Sequence, residues 1–119
     1  MTSSTTSELP VTVTKAYDLF LWLVTHVAKF PRSHKFVLGD RLQSRMLLVV
    51  ELLIQAAYSK DKRNVLQQAN LELQVVKVLI RAGKDLGVTS LRQYEHAAKE
   101  LVVLGQQIGG WVRSQPMTS

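Results

Sequence analysis

The chain has 119 residues, with fifteen Lys and Arg against nine Asp and Glu, a formal charge of +6, and no cysteine. That length holds one domain with a real core and is too short for two. The absence of cysteine excludes disulfides and thiolate metal sites, and it leaves no argument for an oxidising compartment.

The first ten residues, Met1 to Pro10, contain no basic stretch followed by an apolar core, so no secretory signal is expected and the cytoplasm is the expected location. Thr2 to Ser7 is rich in Ser and Thr, has no apolar periodicity and is closed by Pro10, which predicts a disordered tail over residues 1–12. A first helix is predicted from about Val13 to Ala28, where Val13, Tyr17, Phe20, Val24 and Val27 recur at helical spacing. Pro31 ends it, because the residue before a proline is pushed out of the helical region. A turn through Ser33 and Gly39 then leads to a second helix over about Asp40 to Ser59. Its most apolar part, Met46 to Tyr58, is interrupted by Glu51 and Gln55 and is too short for the ~20 residues a bilayer crossing needs. No membrane association is expected.

The corner Ser59-Lys60-Asp61 offers an N-cap for a third helix from about Lys62 to Leu86, with Leu66, Ala69, Leu73, Val76 and Ile80 on one face and Gly87 as its stop. Ser90 followed three residues later by Gln93 is a capping-box pattern. Leu91, Tyr94, Ala98, Leu101, Gly105, Ile108 and Val112 continue from it as a fourth helix. Short connections favour antiparallel neighbours, so the expected fold is all-α, an up-down four-helix bundle over residues 13–114 with a second disordered tail over 115–119.

These helices are more apolar than a lone bundle needs. Met46-Leu47-Leu48-Val49-Val50 must point all round the helix axis, whereas a helix packed on one side carries a single stripe roughly 100° wide. Leu19, Trp22, Leu23 and Phe30 form a second stripe on the first helix, and Leu71, Val75, Val78, Leu79 and Ala82 lie off the core line of the third. Surplus apolar surface of this extent predicts self-association, with Leu19, Trp22, Leu23, Leu47, Val49 and Trp111 as candidate interface residues. Gly105 and Gly109 lie on one side of the fourth helix, where a neighbouring backbone could approach. Gly109-Gly110 is expected to loosen that helix before the large anchor Trp111, which plugs either the chain's own core or a neighbouring subunit.

The positive charge is clustered. Lys29, Arg32, Lys35, Arg41 and Arg45 face only Asp40 in the segment 29–45, while Lys77, Arg81 and Lys84 share one face of the third helix. Both clusters are candidate phosphate-binding patches, although a solvated face that maintains solubility would look the same at any single lysine. Tyr17, Phe20, Trp22 and Phe30 have core spacing rather than that of a stacking platform. Nothing supports catalysis: His26, His34 and His96 are scattered, and the serines lie in the tail and loops without a nucleophile elbow. His96 and Glu100, with Glu95 beside them, could begin a metal site only with a further ligand. Glu51 and Glu72 belong to no Glu-x-x-His motif, so no metal or cofactor is expected.

The order of elements also carries a resemblance. Tyr17 to Leu23, then Lys29-Phe30-Pro31-Arg32, Leu38-Gly39-Asp40-Arg41, Ala56-Ala57-Tyr58, Tyr94 and Ile108-Gly109-Gly110-Trp111-Val112 resemble the accessory variability determinant (Avd) proteins of bacterial diversity-generating retroelements. The chain is similar, too, to the wider family of four-helix proteins encoded in intervening sequences of bacterial 23S ribosomal RNA genes, which share the Phe-Pro corner; the Gly-Gly-Trp ending favours the retroelement branch. The resemblance implies a homopentameric barrel of four-helix protomers without chemistry of its own. It would bind the retroelement reverse transcriptase and nucleic acid, RNA or DNA, and support mutagenic cDNA synthesis. Only Arg113 is charged after Trp111, so a basic C-terminal extension cannot supply the nucleic-acid contacts. They would fall to Lys29, Arg32, Lys35, Arg41 and Arg45 with Lys77, Arg81 and Lys84. The ribosomal-RNA-encoded branch and a purely structural homo-oligomer stand as the alternatives.

Overall fold

The computed structural model describes residues 9–116. Four long helices make up most of them: α1 (Val11–Val27), α2 (Asp40–Tyr58), α3 (Lys62–Asp85) and α4 (Leu91–Arg113). There is no strand among the described residues, and no helix is long and apolar enough to cross a membrane. α1 and α3 each pack against both α2 and α4, so the four helices enclose one shared core in antiparallel up-down order. Most of the two expected tails lies outside the described residues; α1 itself begins two positions earlier than expected, at Val11.

The buried stripe of α1 is Val13, Ala16, Leu19, Leu23 and Val27, spaced three and four apart as one helix face requires. This corrects the expected assignment. Leu19, Leu23 and Phe30, read as a second stripe, belong to the core, whereas Tyr17 from the first stripe is exposed and Phe20 and Val24 are half-buried. The buried face takes Val13 and Val27 from the first stripe and Leu19 and Leu23 from the second, with Ala16 between them. α2 contributes Leu42, Met46, Val49 and Leu53, all fully buried, while Leu47 keeps 40% of its surface in solvent.

The expected turn between α1 and α2 is helical instead. Pro31 places its carbonyl to accept the N–H of His34, and a helical turn over Arg32–His34 runs into a π-helical turn over Lys35–Gly39 that continues into α2. Pro31 begins this turn as well as ending α1, since its fixed φ suits the entry to a helix. Gly39 is needed for the crossing: a Cβ there would lie 2.6 Å from Cγ1 of Val27.

At the next corner Asp61 occupies the N-cap position of α3 without making a side-chain cap. Lys62 does more. Its ammonium donates to the carbonyls of Ala56, Ala57 and Ser59 at 2.8, 3.3 and 2.9 Å, satisfying the orphan carbonyls at the end of α2. α3 buries Leu66, Ala69, Leu73, Val76 and Ile80 as its spacing predicts. Gly87 stops it with φ +80°, and the bonds Gly87 N–H to Lys84 O and Val88 N–H to Gly83 O complete a Schellman cap. The capping box at Ser90 and Gln93 is present in both directions. α4 turns a slightly different face inward than its spacing suggested, with Ala97, Leu101, Leu104 and Ile108 buried and Leu91 exposed. It runs through Gly105, Gly109 and Gly110 without a break, because the i to i+4 ladder needs no side chain.

Candidate functional site

Up-down topology puts the α1–α2 corner and the α3–α4 corner at the same end of the bundle. A buried hydrogen bond joins them: His26 Nε2 and Thr89 Oγ1 lie 2.8 Å apart. Two local features allow it. Gly83 has no side chain, and a Cβ there would lie 2.8 Å from that hydroxyl. Trp22 stacks on the His26 ring at 4.9 Å, and Phe30 meets the same ring edge-on at 5.1 Å. Burial, with the Lys29 charge nearby, holds the His26 pKa below its ordinary value, so the ring is neutral in the fold. His26 was only one of three scattered histidines in the sequence; its place on the α1 core stripe, three residues after Leu23, was the available signal.

The α1–α2 corner carries one basic segment, and the end of α3 carries Arg81 and Lys84 of the other. Lys29, Arg32 and Arg41 are exposed and Lys35 is half-buried, and none of the four has a carboxylate within ion-pair distance among the described residues. In the last turns of α3, Lys84 Nζ lies 4.8 Å above the Tyr94 ring and 3.7 Å from Asp85, and Arg81 Nε lies 3.9 Å from the same carboxylate. Pairs this long contribute little attraction, and Arg81 is exposed while Lys84 is half-buried. Arg92, exposed in the first turn of α4, joins this end and was missed because it stood alone in the sequence.

Two expected members stand apart. Arg45 donates to Glu72 of α3 at 3.0 Å, and it is occupied as a strut between α2 and α3. Glu72 lies roughly 20 Å from the end of α3 at 1.5 Å per residue. Lys77 lies in a shallow groove between α3 and α4 lined by Ile80, Tyr94, Ala98, Leu101 and Val102.

A family model described as bAvd-like matches residues 10–115. The chain belongs to the bAvd-like family. Searches of curated proteins and of solved structures returned no match.

In this bAvd-like chain the expected interface residues divide by burial. Leu19, Leu23 and Val49 are 5%, 1% and 0% exposed within the single chain, so they hold the protomer together and cannot touch a second copy without unfolding it. Trp22 is half-buried between the rings of His26 and His96, and Trp111 is half-buried, packing in part on the chain's own core. Leu47 remains on the surface, with Tyr17, Leu21, Ile54 and Tyr58 on α1 and α2 and with Leu71 and Val78 on α3. A Cβ at Gly105 would meet only the side chains of Leu73 and Lys77, at ordinary contact distance, so no neighbouring backbone uses its space within the chain. His96 and Glu100 take separate partners: His96 packs on Trp22, and Glu100 accepts from Lys15 at 2.8 Å. That bond is the main cause of the lowered Glu100 pKa.

Proposed function

We propose that the protein is a non-enzymatic accessory subunit of a diversity-generating retroelement. Its basic end holds nucleic acid and the element's reverse transcriptase together during cDNA synthesis. Membership in the bAvd-like family, a family of accessory proteins, supports the class. The observation that supports the mechanism is the buried bond between His26 and Thr89, 63 positions apart, which ties the α1–α2 corner to the α3–α4 corner at the end of the bundle where basic residues of both segments lie. Cations without carboxylate partners attract phosphates at long range and release counterions on contact, so binding follows backbone charge more than base sequence.

An adaptor needs no reactive group. Tethering two weak contacts to one scaffold turns the second binding step into a local one, and overall affinity then exceeds either contact alone. Several copies of the basic end in a homo-oligomer multiply that gain, and the exposed apolar side chains of α1, α2 and α3 give such an assembly its contact surface. The test is RNA binding across a salt series. Affinity should fall steeply as salt rises, and Arg32→Ala with Arg41→Ala should reduce both the affinity and its salt dependence. Binding that is absent at low salt, or indifferent to salt, contradicts the reading and leaves a purely structural oligomer.

A further inference from the structure

The basic end carries apolar side chains that no packing argument explains. Phe36 and Val37 leave 64% and 77% of their surface in solvent, on the π-helical turn between Pro31 and α2. The same turn buries Leu38 and Gly39, with Gly39 close against Val27 of α1 and Phe30, so the segment is firmly seated and its outward face is a defined surface. π-Helical turns are uncommon and occur frequently at functional sites.

Positive charge is dense in the sequence on both sides of Phe36. Between positions 29 and 41 the chain has Lys29, Arg32, Lys35 and Arg41 against Asp40 as the single acid. Arg32 precedes Phe36 by four residues and Arg41 follows it by five, the spacings at which α- and π-helical turns return to the same side. The order along that side is cation, exposed ring, cation. Asp40, one position before Arg41, faces solvent at the beginning of α2.

We infer that Phe36 is a stacking platform for an unpaired nucleobase, with Arg32, Lys35 and Arg41 holding the phosphates on either side. The inference rests on the nucleic-acid reading above and narrows it to single strands. Aromatic faces between backbone-binding cations are how proteins hold single-stranded nucleic acid without sequence readout, whereas a duplex keeps its base faces stacked internally. A second protein chain would need carboxylates to match the unpaired cations that the sequence sets on either side of one ring. The regular charges and exposed bases of a single strand already have that pattern.

The test measures binding of the full chain to three probes of equal phosphate number: a single-stranded oligonucleotide, its abasic counterpart and its blunt duplex. Wild type should prefer the base-bearing strand over the abasic one by about tenfold or more, the range that one base–aromatic stack contributes. Phe36→Leu should erase that preference and leave duplex binding unchanged, and Phe36→Trp should keep it. Circular dichroism and light scattering on both variants should match wild type. If Phe36→Leu binds the base-bearing strand as wild type does, stacking is refuted while phosphate binding stands. If wild type binds none of the probes, the nucleic-acid reading falls and this inference with it. Loss of assembly in Phe36→Leu would place the ring between copies of the chain and also overturn the inference.

Discussion

His26 Nε2 on α1 and Thr89 Oγ1 ahead of α4 are 2.8 Å apart and buried, and this single bond ties together the two corners that carry the basic residues. Thr89→Val would leave the imidazole nitrogen without a partner in a site water does not reach. The expected cost is about 1–3 kcal/mol, read as a lower melting temperature. Helical content at low temperature should be unchanged.

The same pair sets a pH dependence. Burial first, and then the Lys29 charge, favours neutral His26 in the folded chain, so the unfolded chain takes up the proton more readily. From α4, His96 is the titratable group on the far side of Trp22. The stability contributed by neutral His26 is therefore complete above its ordinary value of 6.5 and is lost as pH falls from there through the lowered folded value. Melting temperature should drop across that window in wild type. In His26→Gln the drop should be smaller, and an equal drop in both proteins would mean another group is responsible.

Gly39 tests how tightly the α1–α2 corner is built. Gly39→Ala drives a methyl to 2.6 Å from Val27 Cγ1, which the buried corner can relieve only by moving a helix. Overpacking of this kind costs about 1–3 kcal/mol. Denaturant unfolding should show that loss, and adding Val27→Ala should bring less further loss than Val27→Ala causes alone, because the deleted methyls make room for the new one.

Arg41 and Arg45 are neighbours on α2 with different work to do. Arg45→Ala breaks the half-buried pair with Glu72 and should cost about 1 kcal/mol or less in stability, with little change in RNA affinity. Arg41→Ala should do the reverse. Equal effects of the two on RNA binding would show that Arg45 leaves Glu72 to meet phosphate.

Much of this architecture was legible beforehand. The core face of α3, the Ser90 capping box and the Gly87 stop depend on local spacing, and local chemistry decided them. The face of α1 was not legible, because Tyr17 and Leu19 belong to equally apolar stripes and only the partner helices choose between them. Nor was the helical turn after Pro31, since proline serves both to end one helix and to begin another. For the candidate site, charge clustering proposed Lys29, Arg32, Lys35 and Arg41, and the structure leaves all four without a carboxylate within ion-pair distance among the described residues. The occupation of Arg45 by Glu72 and the exposure of Phe36 are tertiary facts with no local signal.

Self-association should appear in light scattering as a multiple of the 13.4 kDa chain, five copies being the number the family resemblance implies. Leu21→Glu with Leu47→Glu places charge on exposed apolar positions and should reduce the mass while leaving the helices formed. Leu19→Glu, aimed at the core, should instead unfold the chain, since an unpaired carboxylate buried there costs several kcal/mol or stays protonated.

The adaptor role is tested most directly by reconstituting cDNA synthesis from retroelement RNA with the cognate reverse transcriptase, with and without this protein. Wild type should co-elute with the polymerase and raise the yield of full-length cDNA, while turning over nothing alone. Charge reversal at Lys29, Arg32 and Arg41 should remove that gain with helical content intact. Full-length synthesis by the polymerase without the protein, or full stimulation by the charge-reversed variant, would contradict the account.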